Sequence, residues 1–175
     1  MARRGPRQAY ASGAGGASGG AADAGESAAI RSPPMAFRTP LVVRFGDCDP
    51  AGWVYYPRFF HYFHGAMEEL FVAALGVSYP ALVAQQGLGF PTVHAECDFR
   101  RPLRYGESAA LEVTVDALGS TSCTFGFRLF VADEEAPRAE ARVVTVCIDL
   151  ASTAKRAIPE PLRAALASQR RVEAE

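Results

Sequence analysis

Several features that mark common functional classes are missing from this 175-residue chain. Lysine is nearly absent, since Lys155 is the only one among 18 Lys and Arg residues, and a formal net charge of −1 argues against a general nucleic-acid binder. The four cysteines form no C-x-x-C pair, so neither a zinc site nor a redox dithiol is expected. No apolar run reaches the roughly 18 residues that a membrane helix needs. Because the cysteines are expected to be reduced and no membrane helix is expected, we predict a cytoplasmic protein.

Composition divides the chain into three parts. Residues 1–35 are rich in Ala, Gly and Ser and hold few large apolar side chains, so they cannot offset the entropy of ordering. We therefore predict a disordered low-complexity extension there. Residues 36–168 are predicted to form one folded domain, and residues 169–175 a loose C-terminal tail.

Apolar spacing within the folded part predicts one long helix and a set of strands. The helix covers 56–75, because large apolar residues recur there at helical spacing, among them Phe60, Phe63, Met67, Leu70 and Phe71. Strands are predicted over 41–45, 90–99, 109–118, 120–132 and 140–150, and short helices over 79–86 and 159–167. Four successive strands joined by short turns imply an antiparallel sheet, on which the helix must bury its apolar side. The predicted fold class is α+β, a sheet wrapped around one central helix, with exposed outer strands that favour dimerisation.

An acidic loop between the first strand and the long helix carries the candidate chemistry. Its sequence is Arg44-Phe45-Gly46-Asp47-Cys48-Asp49-Pro50-Ala51-Gly52. Pro50 and Gly52 are turn residues, and Pro57 suits the first position of a helix. A carboxylate is thereby placed beside a helix N-terminus, whose free N–H groups can stabilise developing negative charge. The same pattern could serve the turn alone, and Asp47 is expected to be a loop-capping acid.

This run, together with Tyr55-Tyr56-Pro57 and the helix that follows, resembles 4-hydroxybenzoyl-CoA thioesterase and its relatives among the hotdog-fold acyl-CoA thioesterases, over roughly 39–166. The resemblance implies a hotdog fold, hydrolysis of an acyl-CoA thioester, and a homodimer or homotetramer with active sites at subunit interfaces. It implies that Asp49 is the nucleophile or general base, that the Tyr56 N–H polarises the thioester carbonyl, and that Gly52 forms the tight loop between them. No metal or cofactor is expected, because coenzyme A belongs to the substrate and its thiolate is a good leaving group.

The acyl group and the coenzyme site are less closely defined by the resemblance. His64 stands where the 4-hydroxybenzoyl enzyme carries an acid that recognises the phenol, so that selectivity is not expected here. With Phe60 and Trp53, His64 is predicted to contribute to an aromatic-rich pocket for an aryl or medium-chain acyl group. The coenzyme phosphates need N–H and cationic partners, and the candidates are Ser120, Thr121, Ser122, Lys155 and Arg156.

Other functions stay open at this point. The same fold could act as an enoyl-CoA hydratase or dehydratase, or bind acyl-CoA without turnover. An Asp-x-Asp after an apolar strand is also typical of haloacid-dehalogenase phosphatases, but those continue with Thr and alternate strands with helices, and this chain does neither. His61 and His64 have a spacing that metal sites use, but no third ligand is evident.

Overall fold

A computed structural model describes residues 36–132 and 134–170. The larger elements are β1 (Phe37–Val42), α1 (Pro57–Leu75), α2 (Tyr79–Gln86), β2 (Leu88–Gly89), β3 (Thr92–Phe99), β4 (Ser108–Leu118), β5 (Ser122–Val131), β6 (Ala139–Val146), β7 (Ile148–Asp149) and α3 (Glu160–Ala167). The extension predicted over 1–35 and the last part of the predicted tail, 171–175, lie outside the described residues.

The helices begin and end at the residues that their sequences favour. Pro57 takes the first position of α1, where its missing N–H removes no helical hydrogen bond. Gly76 ends α1 in a left-handed conformation, with φ 65°. Ser78 caps α2 by accepting the Ala81 N–H at 3.3 Å. The predicted helices over 56–75 and 79–86 are therefore confirmed.

Five antiparallel strands form one sheet in the order β1-β4-β5-β6-β3, and β2 pairs with β7 separately. The predicted α+β class and antiparallel sheet are confirmed. Short turns join only β4, β5 and β6, however. β3 pairs with β6 at the far edge, so the connection from β3 to β4 crosses the sheet instead of forming a hairpin.

Three predicted boundaries need correction. β1 runs over Phe37–Val42 instead of 41–45, because the chain turns at Phe45–Asp47 while the segment around Pro40 pairs with β4 as an edge strand. The strand predicted over 140–150 is divided into β6 and β7. The predicted loose tail starts too early, because Gln169 accepts the Val115 N–H at 2.9 Å and Arg170 forms a bridge to Val115.

The hydrophobic core lies between α1 and one face of the sheet. Phe63 stacks on Phe127 with ring centroids 5.0 Å apart, and Phe71 lies 6.3 Å from Phe125. The opposite face of the sheet is polar: on it the Glu112 carboxylate pairs with the guanidinium groups of neighbouring strands. The face towards α1 supplies the apolar walls of the cavities beside that helix.

No single helix among residues 36–132 and 134–170 is long and apolar enough to cross a membrane. The segments Pro57–Ala74 and Tyr79–Gln86 would satisfy length and composition only as a pair, which is bent by 76°.

Candidate active site

A 3₁₀ turn leads the chain out of β1 and into the acidic loop. Arg44 is extended, and the turn Phe45–Asp47 follows it. The Cys48 N–H donates to the Phe45 carbonyl at 3.3 Å, which closes the turn. The Asp47 carboxylate accepts the Arg44 N–H at 3.1 Å, so the predicted loop-capping role of Asp47 is confirmed.

The tight turn Asp49–Gly52 presents the candidate catalytic carboxylate. The Asp49 N–H donates to the Trp53 carbonyl at 2.8 Å, and the Gly52 N–H donates to the Asp49 carbonyl at 2.9 Å. Gly52 has φ 80°, a left-handed conformation that favours glycine. Oδ1 of Asp49 accepts the Ala51 N–H at 2.8 Å, whereas Oδ2 has no partner among the described residues. One oxygen of this partly buried carboxylate holds the turn, and the other remains available.

The N-terminus of α1 presents one free backbone donor. The N–H groups of Arg58 and Phe59 donate to the carbonyls of Tyr55 and Tyr56, at 2.8 and 3.2 Å. Pro57 has no N–H. Within the part of the chain that the structure describes, the Tyr56 N–H has no acceptor. It therefore lies at the positive end of the helix dipole and can bind a developing oxyanion.

Two side chains of α1 that the sequence did not single out contact the acidic loop. Arg58 Nε lies 3.8 Å from Asp47 Oδ1, and Arg58 also donates to the Gly46 carbonyl at 3.3 Å. Tyr62 is buried, and its hydroxyl makes no well-aligned hydrogen bond within the described residues. Burial of the phenol, and next the nearby Asp47 carboxylate, raise the pKa of Tyr62 above its usual range. The i, i+4 spacing of Arg58 and Tyr62 places both on one face of α1 close to the loop, and this was the sequence signal that could have identified them.

Two apolar cavities lie beside the first half of α1, and the residues predicted to share one pocket are divided between them. Trp53 lines the first, about 360 Å³, together with Tyr56, Phe59 and Phe99. Phe60 and His64 line the second, about 280 Å³, with further apolar walls from Phe63, Met67, Ala95, Phe127 and Val143. His64 Nε2 lies 3.1 Å from Glu68 Oε1, which orients the imidazole on the cavity rim. The sequence analysis did not identify Glu68 as a neighbour of His64.

The predicted coenzyme residues come together, but far from the acidic loop of the same chain. The Ser120 carbonyl accepts the Ile158 N–H at 2.9 Å, which joins the β4–β5 turn to the segment that carries Lys155 and Arg156. This turn follows the last residue of β4, whereas Val54 of the acidic-loop segment donates to the Leu103 carbonyl, just before β4 begins. Since β4 has 11 residues, the two ends lie about 33 Å apart at the usual rise of a strand.

A third cavity, of about 370 Å³, lies on the polar face of the sheet. Its lining is mostly charged and includes Glu96, Asp116, Arg128 and Arg142. Although it is the largest of the three, it contains no residue of the acidic loop or of the N-terminus of α1. It is therefore not the candidate active site.

Comparison with known proteins places this architecture in a family. The model of the thioesterase-like superfamily matches residues 43–166, which include the acidic loop, α1 and the strands from β2 to β7. The chain belongs to the thioesterase-like superfamily. A 1,4-dihydroxy-2-naphthoyl-CoA hydrolase of Synechococcus elongatus is 32% identical over 123 residues, which are 70% of this chain and 88% of the relative. The prediction that this member is a thioester hydrolase is confirmed.

Solved structures agree with the hotdog fold of this thioesterase. A 1,4-dihydroxy-2-naphthoyl-CoA thioesterase from Synechocystis matches with a TM-score of 0.69 and 25% identity, over 75% of this chain and 95% of that chain. A gentisyl-coenzyme A thioesterase matches with a TM-score of 0.67 and 25% identity, over 74% and 99% of the two chains. These relatives support the superfamily that the acidic loop predicted, but they do not single out the 4-hydroxybenzoyl enzyme.

Proposed function

We propose that this thioesterase hydrolyses the coenzyme A thioester of a hydroxylated aromatic acid, using the Asp49 carboxylate and the Tyr56 N–H. Family membership gives the reaction class, and the proposal adds the acyl group and the residue roles. The observation that carries it is a carboxylate with one oxygen unbound among the described residues, in a loop that the Tyr55 N–H to Asp47 carbonyl bond joins to a helix N-terminus with one unbound donor.

The chemistry requires charge to develop on the thioester oxygen. When a nucleophile adds to the carbonyl carbon, that oxygen becomes an oxyanion, and one fixed N–H donor commonly stabilises the transition state by about 3 kcal/mol. In one route Asp49 Oδ2 attacks, coenzyme A leaves as its thiolate, and water hydrolyses the resulting acyl anhydride. In the other route Asp49 takes a proton from the water that attacks. Both routes give the free acid and coenzyme A.

The second cavity suits an aromatic acyl group with a polar substituent. Phenylalanine rings and Met67 supply its apolar walls, which match an aryl ring. His64 is half-exposed at its rim, and the Glu68 carboxylate holds one imidazole nitrogen. The other nitrogen is then free to bond a hydroxyl on the ring. The names of the naphthoyl and gentisyl relatives agree with a hydroxylated aromatic substrate.

A second copy of the chain would complete the site. Seven of the eight residues of β3 are exposed, including Phe99, although its ring packs against Phe59 on the face that should cover the core. If β3 pairs with β3 of a second copy in antiparallel fashion, the Thr92 end of one strand meets the Phe99 end of the other. The Ser120–Ser122 turn of one copy then approaches the acidic loop of its partner. We therefore assign the coenzyme to residues of both copies, in a homodimer or a pair of homodimers.

A thiol-release screen tests the proposal. Benzoyl, hydroxybenzoyl, 1,4-dihydroxy-2-naphthoyl, phenylacetyl and straight-chain CoA thioesters are compared for kcat and KM. We expect the hydroxylated aromatic thioesters to have the highest kcat/KM, and His64→Phe to lower kcat/KM about tenfold for them but not for benzoyl-CoA. Faster turnover of straight-chain thioesters would reject the aromatic acyl group.

Asp49→Asn tests the residue role. The variant keeps the shape of the side chain and its bond to the Ala51 N–H but loses the basic oxygen, so kcat should fall by about 10²–10⁴ with the fold intact. Glu160→Gln, the same chemical change at the start of α3, is the control and should keep wild-type kcat. Near wild-type turnover by Asp49→Asn would overturn the assignment.

A further inference from the structure

We propose that Asp47, Arg58 and Tyr62 form a positioning device, the Asp47 clamp, which fixes the loop of Asp49 relative to the Tyr56 N–H. This inference rests on the proposed function. It assigns a role to an acid that contacts no reacting atom and to two helix residues that the family motif does not single out.

Asp47 contacts both the acidic loop and the N-terminal end of α1. Its carboxylate accepts the Arg44 N–H at 3.1 Å at the start of the loop and pairs with Arg58 in the first turn of α1. Its main-chain carbonyl accepts the Tyr55 N–H at 2.9 Å. Asp49 lies two residues after Asp47, and Tyr56 follows Tyr55 directly. One residue therefore joins the segment that carries the base to the peptide that carries the oxyanion donor.

Burial of the Asp47 side chain favours these contacts. Its side chain is 15% exposed, so water screens the ion pair with Arg58 only in part. Tyr62 covers the carboxylate from the helix side, since its phenol is buried there and feels the charge of Asp47. A phenylalanine would pack in the same space without burying a hydroxyl. The hydroxyl makes no well-aligned hydrogen bond among the described residues, and we assign it to the Asp47 carboxylate because that charge, after burial, raises the pKa of the phenol.

The loop of Asp49 needs such an external support. Its own bonds, from Ala51 to the carboxylate and between Asp49, Gly52 and Trp53, are local and keep only the shape of the turn. They do not set its distance from α1, and the bonds that Trp53 and Val54 make to the segment before β4 hold the loop against the sheet instead. Since a shift of about 1 Å between reacting groups can cost roughly 10²-fold in rate, the link through Asp47 should matter for kcat.

Asp47→Asn tests the clamp, with Tyr62→Phe as the milder variant. Glu69→Gln is the matched control, because Glu69 is also a carboxylate of the domain that ties α1 to a neighbouring strand, through Thr39, but on the side away from the loop. The measurements are kcat and KM for benzoyl-CoA, Tm, and hydrogen exchange of the peptide covering residues 45–56. We expect Asp47→Asn to lower kcat roughly 10- to 100-fold with KM within about twofold, and Tyr62→Phe to lower kcat by a smaller factor.

The outcomes separate positioning from simple stabilisation. If Asp47 positions the base, its effect on kcat should shrink when Asp49→Asn is already present, because there is then no base to misplace. Exchange over residues 45–56 should rise about tenfold in Asp47→Asn and stay unchanged in Glu69→Gln. Wild-type kcat and exchange in Asp47→Asn, or a loss of Tm alone, would refute the clamp. If wild-type protein hydrolyses no thioester, the proposed function fails, but the exchange comparison still decides whether Asp47 holds the loop.

Discussion

The free edge of β3 gives a prediction about assembly that can be worked out bond by bond. The Arg100 N–H donates to the Arg138 carbonyl of the segment leading into β6, at 2.8 Å, and the register pairs Phe99 with Ala139. Hydrogen-bonded pairs alternate along an antiparallel ladder. The N–H groups of residues 94, 96 and 98 therefore point towards β6, and those of residues 95, 97 and 99 point outwards, where no strand of the described chain accepts them.

Ala95→Pro should block this edge without breaking the sheet. Proline removes an N–H that has no acceptor within the chain, and edge strands tolerate proline on the side that faces outwards. In a symmetric pair the substitution occurs twice, so two hydrogen bonds are lost and two carbonyls are left unpaired. Together these losses amount to about 4 kcal/mol, or roughly 10³-fold in the dimer dissociation constant.

Sedimentation and light scattering provide the assay. We expect wild-type protein at twice or four times the 18.7 kDa of one chain, and Ala95→Pro at the monomer mass with lost thioesterase activity. Ala95 also lines the second cavity. Ala95→Val is therefore the control, because it fills the cavity but keeps the N–H, and it should remain assembled. Glu96→Pro should instead unfold the edge, since its N–H points towards β6.

An assembled and active Ala95→Pro variant would refute this reasoning. It would mean that another surface joins the copies, or that one chain holds a complete site. A monomeric variant with full activity would keep the edge as the interface but remove the second copy from the chemistry. Each result is read against the Tm of the same protein, which should fall only slightly.

Two further predictions concern single residues. Gly52→Ala should lower the free energy of unfolding by about 1 kcal/mol and reduce kcat, because Gly52 has φ 80°. A chemical-denaturation curve measures the change in stability. Gly46→Ala is the control and should show neither effect, because Gly46 is equally open but has no positive φ. Burial raises the pKa of the Cys97 thiol to about 11. Its alkylation by iodoacetamide, followed by mass spectrometry, should be slow at pH 8 and rise about tenfold per pH unit up to pH 10, since only the thiolate reacts. Rapid labelling at pH 8 would contradict the partly buried position of this thiol.

The sequence predicted the helices well because their signals are local. Pro57, Gly76 and Ser78 act within a few residues of themselves, so the bounds of α1 and α2 follow from the chain alone. Strand order depends on distant pairing instead. The pattern of alternating residues that predicts β3 contains nothing that tells whether it will pair with β4, which follows it, or with β6.

The same distinction applies to the candidate site. The turn at Asp49 and the helix start at Tyr56 could be predicted from the sequence, because their hydrogen bonds join residues close together in the chain. The division of the pocket residues between two cavities was not readable, because it depends on how Phe99 and Ala95 of a distant strand lie against α1. The sequence did not single out Tyr62, because a tyrosine on an apolar helix carries no local sign of the carboxylate that the fold brings near it.

The exposed strand, the open cavities and the distant coenzyme residues have one physical cause. The sheet stops at β3 while α1 extends along it, so residues on the inner face of β3 have a helix beside them but no strand beyond. Ala95 and Phe99 form walls of the two cavities from this uncovered edge. A strand that supplies both the free edge and the pocket walls cannot be covered without changing the pocket. Assembly and substrate binding should therefore be linked, because the copy that satisfies the outward N–H groups also closes both cavities, the first of which is lined by Tyr56.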